Sequence, residues 1–149
     1  MMSPPSLLPQ VIFLRVKENE AKLHRLSSIA LEHFIKKERL VILGSDPSAC
    51  EFVDLLLWRL PREGFLPHCI SETPSSEWIT ITHVCPDFNP DQTLNIFNLK
   101  PTSFAFDSSW QCRIKIIYDF DDHISEEKKL ASKERYQAYR QAGLPISMS

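Results

Sequence analysis

Glycine is scarce in this chain: only three occur among 149 residues, at Gly44, Gly64 and Gly143. Loops that cradle phosphate need glycine because their backbone amides must approach the anion closely. Neither the dinucleotide pattern G-x-G-x-x-G nor the pattern G-x-x-x-x-G-K-S/T is present. The scarcity therefore predicts a protein without a glycine-rich nucleotide-binding loop.

The four cysteines, Cys50, Cys69, Cys85 and Cys112, lie far apart in the sequence. No C-x-x-C pair occurs, so neither a zinc site nor a thioredoxin-like redox motif is predicted. His83 and Cys85 alternate on a predicted strand, but the neighbouring sequence supplies no second pair of metal ligands. We therefore expect reduced thiols, no metal and no cofactor.

The chain has no apolar run of the roughly 20 residues that a membrane-spanning helix needs. Its first nine residues, MMSPPSLLP, have neither the basic region nor the apolar stretch of a secretory signal. Their prolines predict a disordered leader over residues 1–9, followed by a single α/β domain over residues 10–149. Together these features predict a cytoplasmic protein that does not contact a membrane.

An excess of positive charge is also missing, because the formal net charge is −2. Broad binding to the nucleic-acid backbone needs a basic footprint. The balance therefore predicts that the protein reaches DNA only indirectly. The net charge does not exclude a local cationic patch that binds an acidic partner.

Apolar patterns predict strands over residues 11–16, 40–43, 65–70, 78–84, 94–99 and 113–120, and helices over residues 18–37, 47–60 and 125–143. Strands that alternate with helices in this order are typical of α/β proteins. We predict a Rossmann-like, open, mostly parallel twisted sheet with helices on both faces and right-handed early crossovers.

The last predicted helix has two contrasting sides when its residues are placed at about 100° intervals. One side carries three cations around an aromatic ring: Lys129, Lys133, Tyr136 and Arg140. The opposite side is smooth, with Ala131, Ala138 and Ala142. We expect the alanines to dock on the protein body and the cationic stripe to receive an acidic peptide with an apolar anchor. A solvated surface face is the alternative interpretation of the stripe.

A second cluster of aromatic residues and prolines follows the second predicted helix. It comprises Trp58, Phe65, Pro67 and His68. Aromatic residues at a helix end and in its connecting loop are common in protein–protein interfaces. Core packing is an equally good interpretation for Trp58 and Phe65.

Acidic residues gather at the end of the last predicted strand. Asp119, Asp121, Asp122 and His123 stand where the catalytic acids of α/β enzymes often lie. They could bind a metal or perform acid–base chemistry. A polar turn that caps the last helix is the interpretation we favour.

Two stretches resemble the chi subunit of bacterial DNA polymerase III holoenzyme. The first is VDLLLWRLPREGFLPH over residues 53–68, and the second is ERYQAYRQAG over residues 134–143. YDF over residues 118–120 leads into the last helix as a similar string does in that family. The predicted order of strands and helices agrees over nearly the full length.

The resemblance implies a non-catalytic accessory subunit of the clamp-loader assembly, acting at the bacterial replication fork. One surface of a chi subunit binds the small psi subunit. The resemblance implies that this surface is formed here by Trp58, Phe65, Pro67 and His68. Another surface binds the acidic C-terminal tail of the single-stranded-DNA-binding protein. The resemblance implies that the tail-binding residues here are Lys129, Lys133, Tyr136 and Arg140. Lys133 stands where the family has arginine, so the charge is kept and the bidentate fork is lost.

Two alternatives remain open from the sequence. The first is a tail-binding adaptor tethered to a helicase or repair partner in place of psi. The second is a small α/β enzyme that depends on a nucleotide or a metal and uses Asp119, Asp121, Asp122 and His123.

Overall fold

The computed structural model describes residues 8–59, 66–73, 75–84, 92–106 and 113–149. Within these ranges the chain forms strands β1 (Gln10–Val16), β2 (Arg39–Leu43), β3 (Cys69–Ile70), β4 (Ile79–Thr82), β5 (Thr93–Asn98), β6 (Arg113–Asp122) and β7 (Ile146–Met148). The helices are α1 (Asn19–Lys36), α2 (Pro47–Arg59) and α3 (Glu126–Gln141). Residues 1–7 lie outside the described ranges, so the disordered leader stays a prediction.

The strands form one seven-stranded sheet in the order β3-β4-β2-β5-β6-β1-β7. Every strand pairing in the described part of the chain is parallel. Parallel neighbours need crossover connections. Helices α1, α2 and α3 connect β1 to β2, β2 to β3 and β6 to β7. The predicted open α/β sheet is therefore confirmed.

Two apolar clusters, one on each face, hold the helices on the sheet. On one face α1 and α2 contribute Leu26, Ala30, Val53 and Leu57 to a core with β2. On the other face Tyr139 of α3 packs with residues of β1, β5 and β6. Because successive strand residues point to opposite faces, the central strands are apolar on both sides, as the predicted helices on both faces require.

The structure adds a strand that the sequence analysis did not predict. Strand β7 follows α3 and pairs with β1, with Val11 opposite Ile146 and Phe13 opposite Met148. Backbone hydrogen bonds at 2.8 Å from the Val11 amide to the Pro145 carbonyl and at 2.7 Å from the Ser149 amide to the Phe13 carbonyl extend this pairing. The segment after the last helix therefore belongs to the sheet.

Other boundaries shift by small amounts. The strand predicted over residues 65–70 is observed only as β3, and residues 60–65 lie outside the described ranges. Strand β6 runs two residues beyond its predicted end, through Asp122. None of the helices in the described ranges is long and apolar enough to cross a bilayer.

Candidate functional site

Helix α3 begins and ends as its sequence predicts. The Ser125 hydroxyl accepts a hydrogen bond from the Lys128 amide at 3.2 Å. Glu126 and Glu127 occupy the first turn, where carboxylates interact favourably with the helix dipole. Beyond the last turn Gly143 has a φ of 79°, a left-handed conformation that glycine adopts without strain. These signals place the stripe residues along the middle of the helix.

The face of α3 that packs on the sheet differs from the prediction. Its buried residues are Ser132, Arg135 and Tyr139. The alanines expected there are half-buried or exposed: Ala131, Ala138 and Ala142. The predicted alanine docking face is therefore wrong. The observed face packs on the sheet because Asp119 on β6 is a buried carboxylate and requires hydrogen-bond donors. Alanine side chains have no such donors.

Asp119 is the centre of a buried network that joins α3 to β6. Its side chain accepts hydrogen bonds from Nε of Arg135 at 3.0 Å, the hydroxyl of Tyr139 at 2.7 Å and Nδ2 of Asn98 at 3.1 Å. Burial raises the pKa of Asp119, and the Arg135 charge and these hydrogen bonds oppose that rise. The network fixes the rotation of α3 and therefore which of its residues face outward.

The remaining acids at the end of β6 also have partners. Oδ2 of Asp122 accepts a hydrogen bond from Nζ of Lys22 at 2.6 Å. Burial opposes ionisation of Asp122, but the Lys22 contact and a backbone amide hold its pKa below the usual value. Asp121 lies between Nε of Arg15 at 3.0 Å and Nε2 of His123 at 2.8 Å. Within the described ranges, no three histidine, cysteine or acidic side chains converge on a possible metal position.

Most of the cationic stripe faces an open groove between α3 and the β1–β7 edge of the sheet. We call this cavity of about 370 Å³ the α3 groove. Its principal lining residues are Phe13, Arg15, Lys129, Lys133, Tyr136 and Met148. It has the size of a small-ligand or side-chain pocket.

The groove combines an apolar wall with a cationic rim. Tyr136 is half-buried, and its ring meets the buried Phe13 ring edge to face with centroids 5.6 Å apart. Leu130 and Met148 leave 59% and 53% of their surfaces exposed at the groove. Lys129 is exposed beside them. Such a site suits a ligand with an apolar group and negative charge.

The structure brings together Lys129, Lys133 and Tyr136 but not the fourth predicted residue. Arg140 is exposed and does not line the groove. Conversely, Arg15 of β1 lines the groove although the sequence analysis did not single it out. It lies more than a hundred positions away from α3 in the sequence, so no local pattern could indicate it.

Trp58 lies at the end of α2 with 48% of its surface exposed. One side of its ring packs on the ring of His68 with centroids 4.4 Å apart. His68 is buried, and its ring nitrogens lie 2.7 Å from the Leu66 carbonyl and 3.0 Å from Oδ1 of Asp54. His68 thus supports the indole, while Trp58 offers the exposed surface.

Two more exposed apolar side chains accompany Trp58 on α2. Phe52 and Leu55 are 56% and 54% exposed and precede it at three-residue intervals, which places all three on one side of the helix. We call Phe52, Leu55 and Trp58 the α2 stripe. Pro67 is half-buried, and Phe65 lies outside the described ranges. The spacing was visible in the sequence, but apolar residues in a helix usually indicate the core.

The sequence profile of the family described as DNA polymerase III chi subunit, HolC, matches residues 8–147. The chain belongs to this family. The DNA polymerase III subunit chi of Escherichia coli (strain K12) is 28% identical to it over 119 residues, which cover 80% of this chain and 78% of that protein.

Membership in the chi family confirms the resemblance carried by the two sequence stretches. It identifies an accessory subunit of the DNA polymerase III assembly in DNA replication, without a catalytic role of its own. The acid–base interpretation of the residues at the end of β6 is therefore not needed, and the contacts of the buried Asp119 and Asp122 give these two acids a structural role.

A larger cavity of about 600 Å³ lies at the carboxyl ends of β5 and β6, where nucleotide-binding Rossmann proteins hold their ligand. Among the described residues that line it, none is a glycine. Gly44 at the end of β2 meets α2 instead, since a Cβ there would lie 3.0 Å from Sγ of Cys50. Gly44 therefore serves close helix packing.

Proposed function

We propose that the α3 groove binds the acidic C-terminal tail of the single-stranded-DNA-binding protein. The observation that carries the proposal is the arrangement of Arg15, Lys129 and Lys133 around the half-buried ring of Tyr136 at an open cavity. The tail ends in acidic residues and a terminal phenylalanine. Its carboxylates fit the cationic rim, and its ring fits beside Tyr136.

Two acids also line the groove, Asp121 and Glu126. The cations Arg15, Lys129 and Lys133 outnumber them, and Glu126 lies in the first turn of α3. Asp121 is close to Arg15 and His123, and its side chain is only 15% exposed. The cations at the rim are more accessible, with 55% of the Arg15 side chain exposed. An incoming carboxylate therefore meets the cations before it meets Asp121.

Charge alone gives this groove little affinity. Each exposed ion pair contributes about 0–1 kcal/mol and weakens as salt rises. Burial of the terminal ring contributes about 25 cal/mol per Å² of apolar surface. The pocket beside Tyr136 therefore supplies much of the specificity, and the lysines add salt-sensitive attraction.

Titration calorimetry with a synthetic acidic peptide that ends in phenylalanine tests the proposal. We expect Lys133→Glu and Tyr136→Ala each to weaken binding at least tenfold, about 1.4 kcal/mol. Lys128→Glu is the matched control, because Lys128 lies on the same helix but lines the larger cavity. It should leave the affinity almost unchanged.

Two results would contradict the proposal. One is an unchanged affinity in both groove variants while circular dichroism shows that they are folded. The other is an equal loss in Lys128→Glu, which would indicate attraction to the whole helix without a defined groove.

The α2 stripe supports a second part of the proposed function. Exposed apolar side chains in a row usually mark a surface that binds another protein. We assign it to psi or its equivalent in the clamp loader, so that the protein links the loader to the single-stranded-DNA-binding protein in the bacterial cytoplasm. A helicase or repair partner is the alternative occupant. A pull-down identifies the occupant as the protein that the wild type retains and Trp58→Ala does not.

A further inference from the structure

The amino ends of β2, β5 and β6 border a separate cavity of about 310 Å³, which we call the amino-edge cavity. The lining residues that matter here are Lys37, Arg39, Trp78, Gln92, Asn95 and Lys115. It lies at the opposite end of the strands from Asp119 and shares no lining residue with the α3 groove.

Two residues that line this cavity, Gln92 and Asn95, carry buried amide oxygens. Asn95 is 1% exposed, and its Nδ2 donates to the Arg39 carbonyl at 3.0 Å, which fixes the orientation of the amide. Its Oδ1 and the buried Oε1 of Gln92 have no hydrogen-bond partner among the described residues. A shift in the β5–β6 register falls between Leu94 and Asn95, a kind of irregularity that re-aims side chains.

The rim of the cavity is cationic and includes a flat guanidinium. Lys37 and Lys115 are exposed, and the one acidic lining residue, Glu38, is 3.7 Å from Nζ of Lys115. The Arg39 guanidinium lies over the Trp78 ring, 4.9 Å from its centroid. It also donates to two backbone carbonyls at 3.2 Å, which hold its plane in place.

We propose that the amino-edge cavity binds a nucleotide whose base has an exocyclic amino group. The amino group donates to the amide oxygens of Asn95 and Gln92, and the base stacks on the Arg39 guanidinium, as bases do on arginine planes. The phosphate lies at Lys37 and Lys115. Cytosine and adenine present such donors, whereas thymine presents an acceptor at the corresponding position and is disfavoured. An acidic peptide supplies the charge but no rigid planar donor.

The backbone at Lys37 provides a sharp variant for the test. Lys37 has a φ of 56° and is the one non-glycine residue with positive φ in the described ranges. Glycine adopts this conformation with less strain. Lys37→Gly therefore removes a rim cation while keeping or raising the melting temperature, so a loss of binding cannot be attributed to unfolding.

The probes are dCMP, dTMP, oligo(dC) and oligo(dT), titrated into the full chain by calorimetry. We expect the cytosine ligands to bind at least about tenfold more tightly than their thymine counterparts. Lys37→Gly and Lys115→Gln should each lower the affinity for the cytosine ligands severalfold. Lys36→Gln is the control, because Lys36 is exposed beside the cavity but pairs with Glu32 and does not line it.

The two sources of the nucleotide give different outcomes, and both support the site. Equal affinity per site for dCMP and oligo(dC) indicates a free nucleotide, and binding of oligo(dC) alone indicates a single DNA strand. The proposal is overturned if no nucleotide binds, if thymine binds as well as cytosine, or if an acidic peptide displaces dCMP. Tail-peptide binding at the α3 groove is expected to be unchanged in all three variants, so the two proposals fail separately.

Discussion

The Tyr139 hydroxyl donates a hydrogen bond at 2.7 Å to Oδ2 of Asp119, and both residues are 1% exposed. The same hydroxyl accepts a hydrogen bond at 2.9 Å from the Phe104 amide. One atom therefore joins α3, β6 and the segment after β5. The groove formed by the outer side of α3 depends on a polar contact on its inner side.

Tyr139→Phe should lower the free energy of unfolding by about 1–3 kcal/mol, because it removes a donor from a buried carboxylate. Urea denaturation followed by circular dichroism measures the change. Tyr136→Phe is the matched control, since Tyr136 is only half-buried, and it should cost less than about 0.5 kcal/mol. Equal effects in the two variants would show that Asp119 does not rely on Tyr139.

The stability should also depend on pH through His33. This residue is 4% exposed, and its Nε2 lies 2.8 Å from the Tyr118 hydroxyl. Burial lowers the pKa of His33 below the usual 6.5, although the charges of Glu38 and Glu32 oppose the shift. The unfolded chain then binds the proton more readily than the native state, so protonation favours unfolding.

The free energy of unfolding should therefore fall as the pH drops below about 6.5, by at most about 1.4 kcal/mol per pH unit. Urea titrations at about pH 7.5 and about pH 5.5 measure this difference. His33→Gln should reduce the pH dependence, and His24→Gln should not, because the His24 side chain is 58% exposed. The same pH dependence in the wild type and His33→Gln would remove His33 as its source.

The sheet was largely predictable because its central strands are apolar on both faces. Segments such as LVIL over residues 40–43 carry that signal without any partner in view. Strand β7 was not predictable in this way, since Ile146–Met148 is only three residues long. It becomes a strand because β1 offers an unpaired edge, a property of the assembled sheet.

The candidate site was predictable only where it depends on helical spacing. Lys129, Lys133 and Tyr136 are three or four positions apart, so periodicity alone places them on one side of α3. The inward face was wrongly assigned because Asp119 selects Arg135 and Tyr139 as packing partners over smaller alanines. That preference arises from a buried charge on another element, which composition and spacing do not reveal.

A substitution at Arg140 tests whether the binding site follows the helical spacing or the lining of the observed groove. It belongs to the stripe by spacing, but it does not line the cavity. We expect Arg140→Glu to weaken the tail peptide by less than about threefold, in the range of one exposed ion pair, and Lys133→Glu to weaken it at least about tenfold. Calorimetry at low and moderate salt measures both affinities. A loss in Arg140→Glu as large as in Lys133→Glu would extend the site along the helix.

The α2 stripe should matter for binding and hardly at all for folding. Phe52 and Leu55 are more than half exposed, so Phe52→Ser and Leu55→Ser should change the free energy of unfolding by no more than about 0.5 kcal/mol. If the stripe holds a partner of the clamp loader, each substitution should weaken that complex by about 1–2 kcal/mol. Surface plasmon resonance with the immobilised partner measures the affinity.

Ile35→Ser is the matched control for the stripe. Ile35 is 68% exposed, like the stripe residues, but it lies on α1. The same loss of apolar surface at Ile35 should leave the partner's affinity unchanged, because scattered exposed apolar residues are ordinary on protein surfaces. If Ile35→Ser weakens the complex as much as Leu55→Ser, the partner responds to general hydrophobicity, and the α2 stripe has no special role.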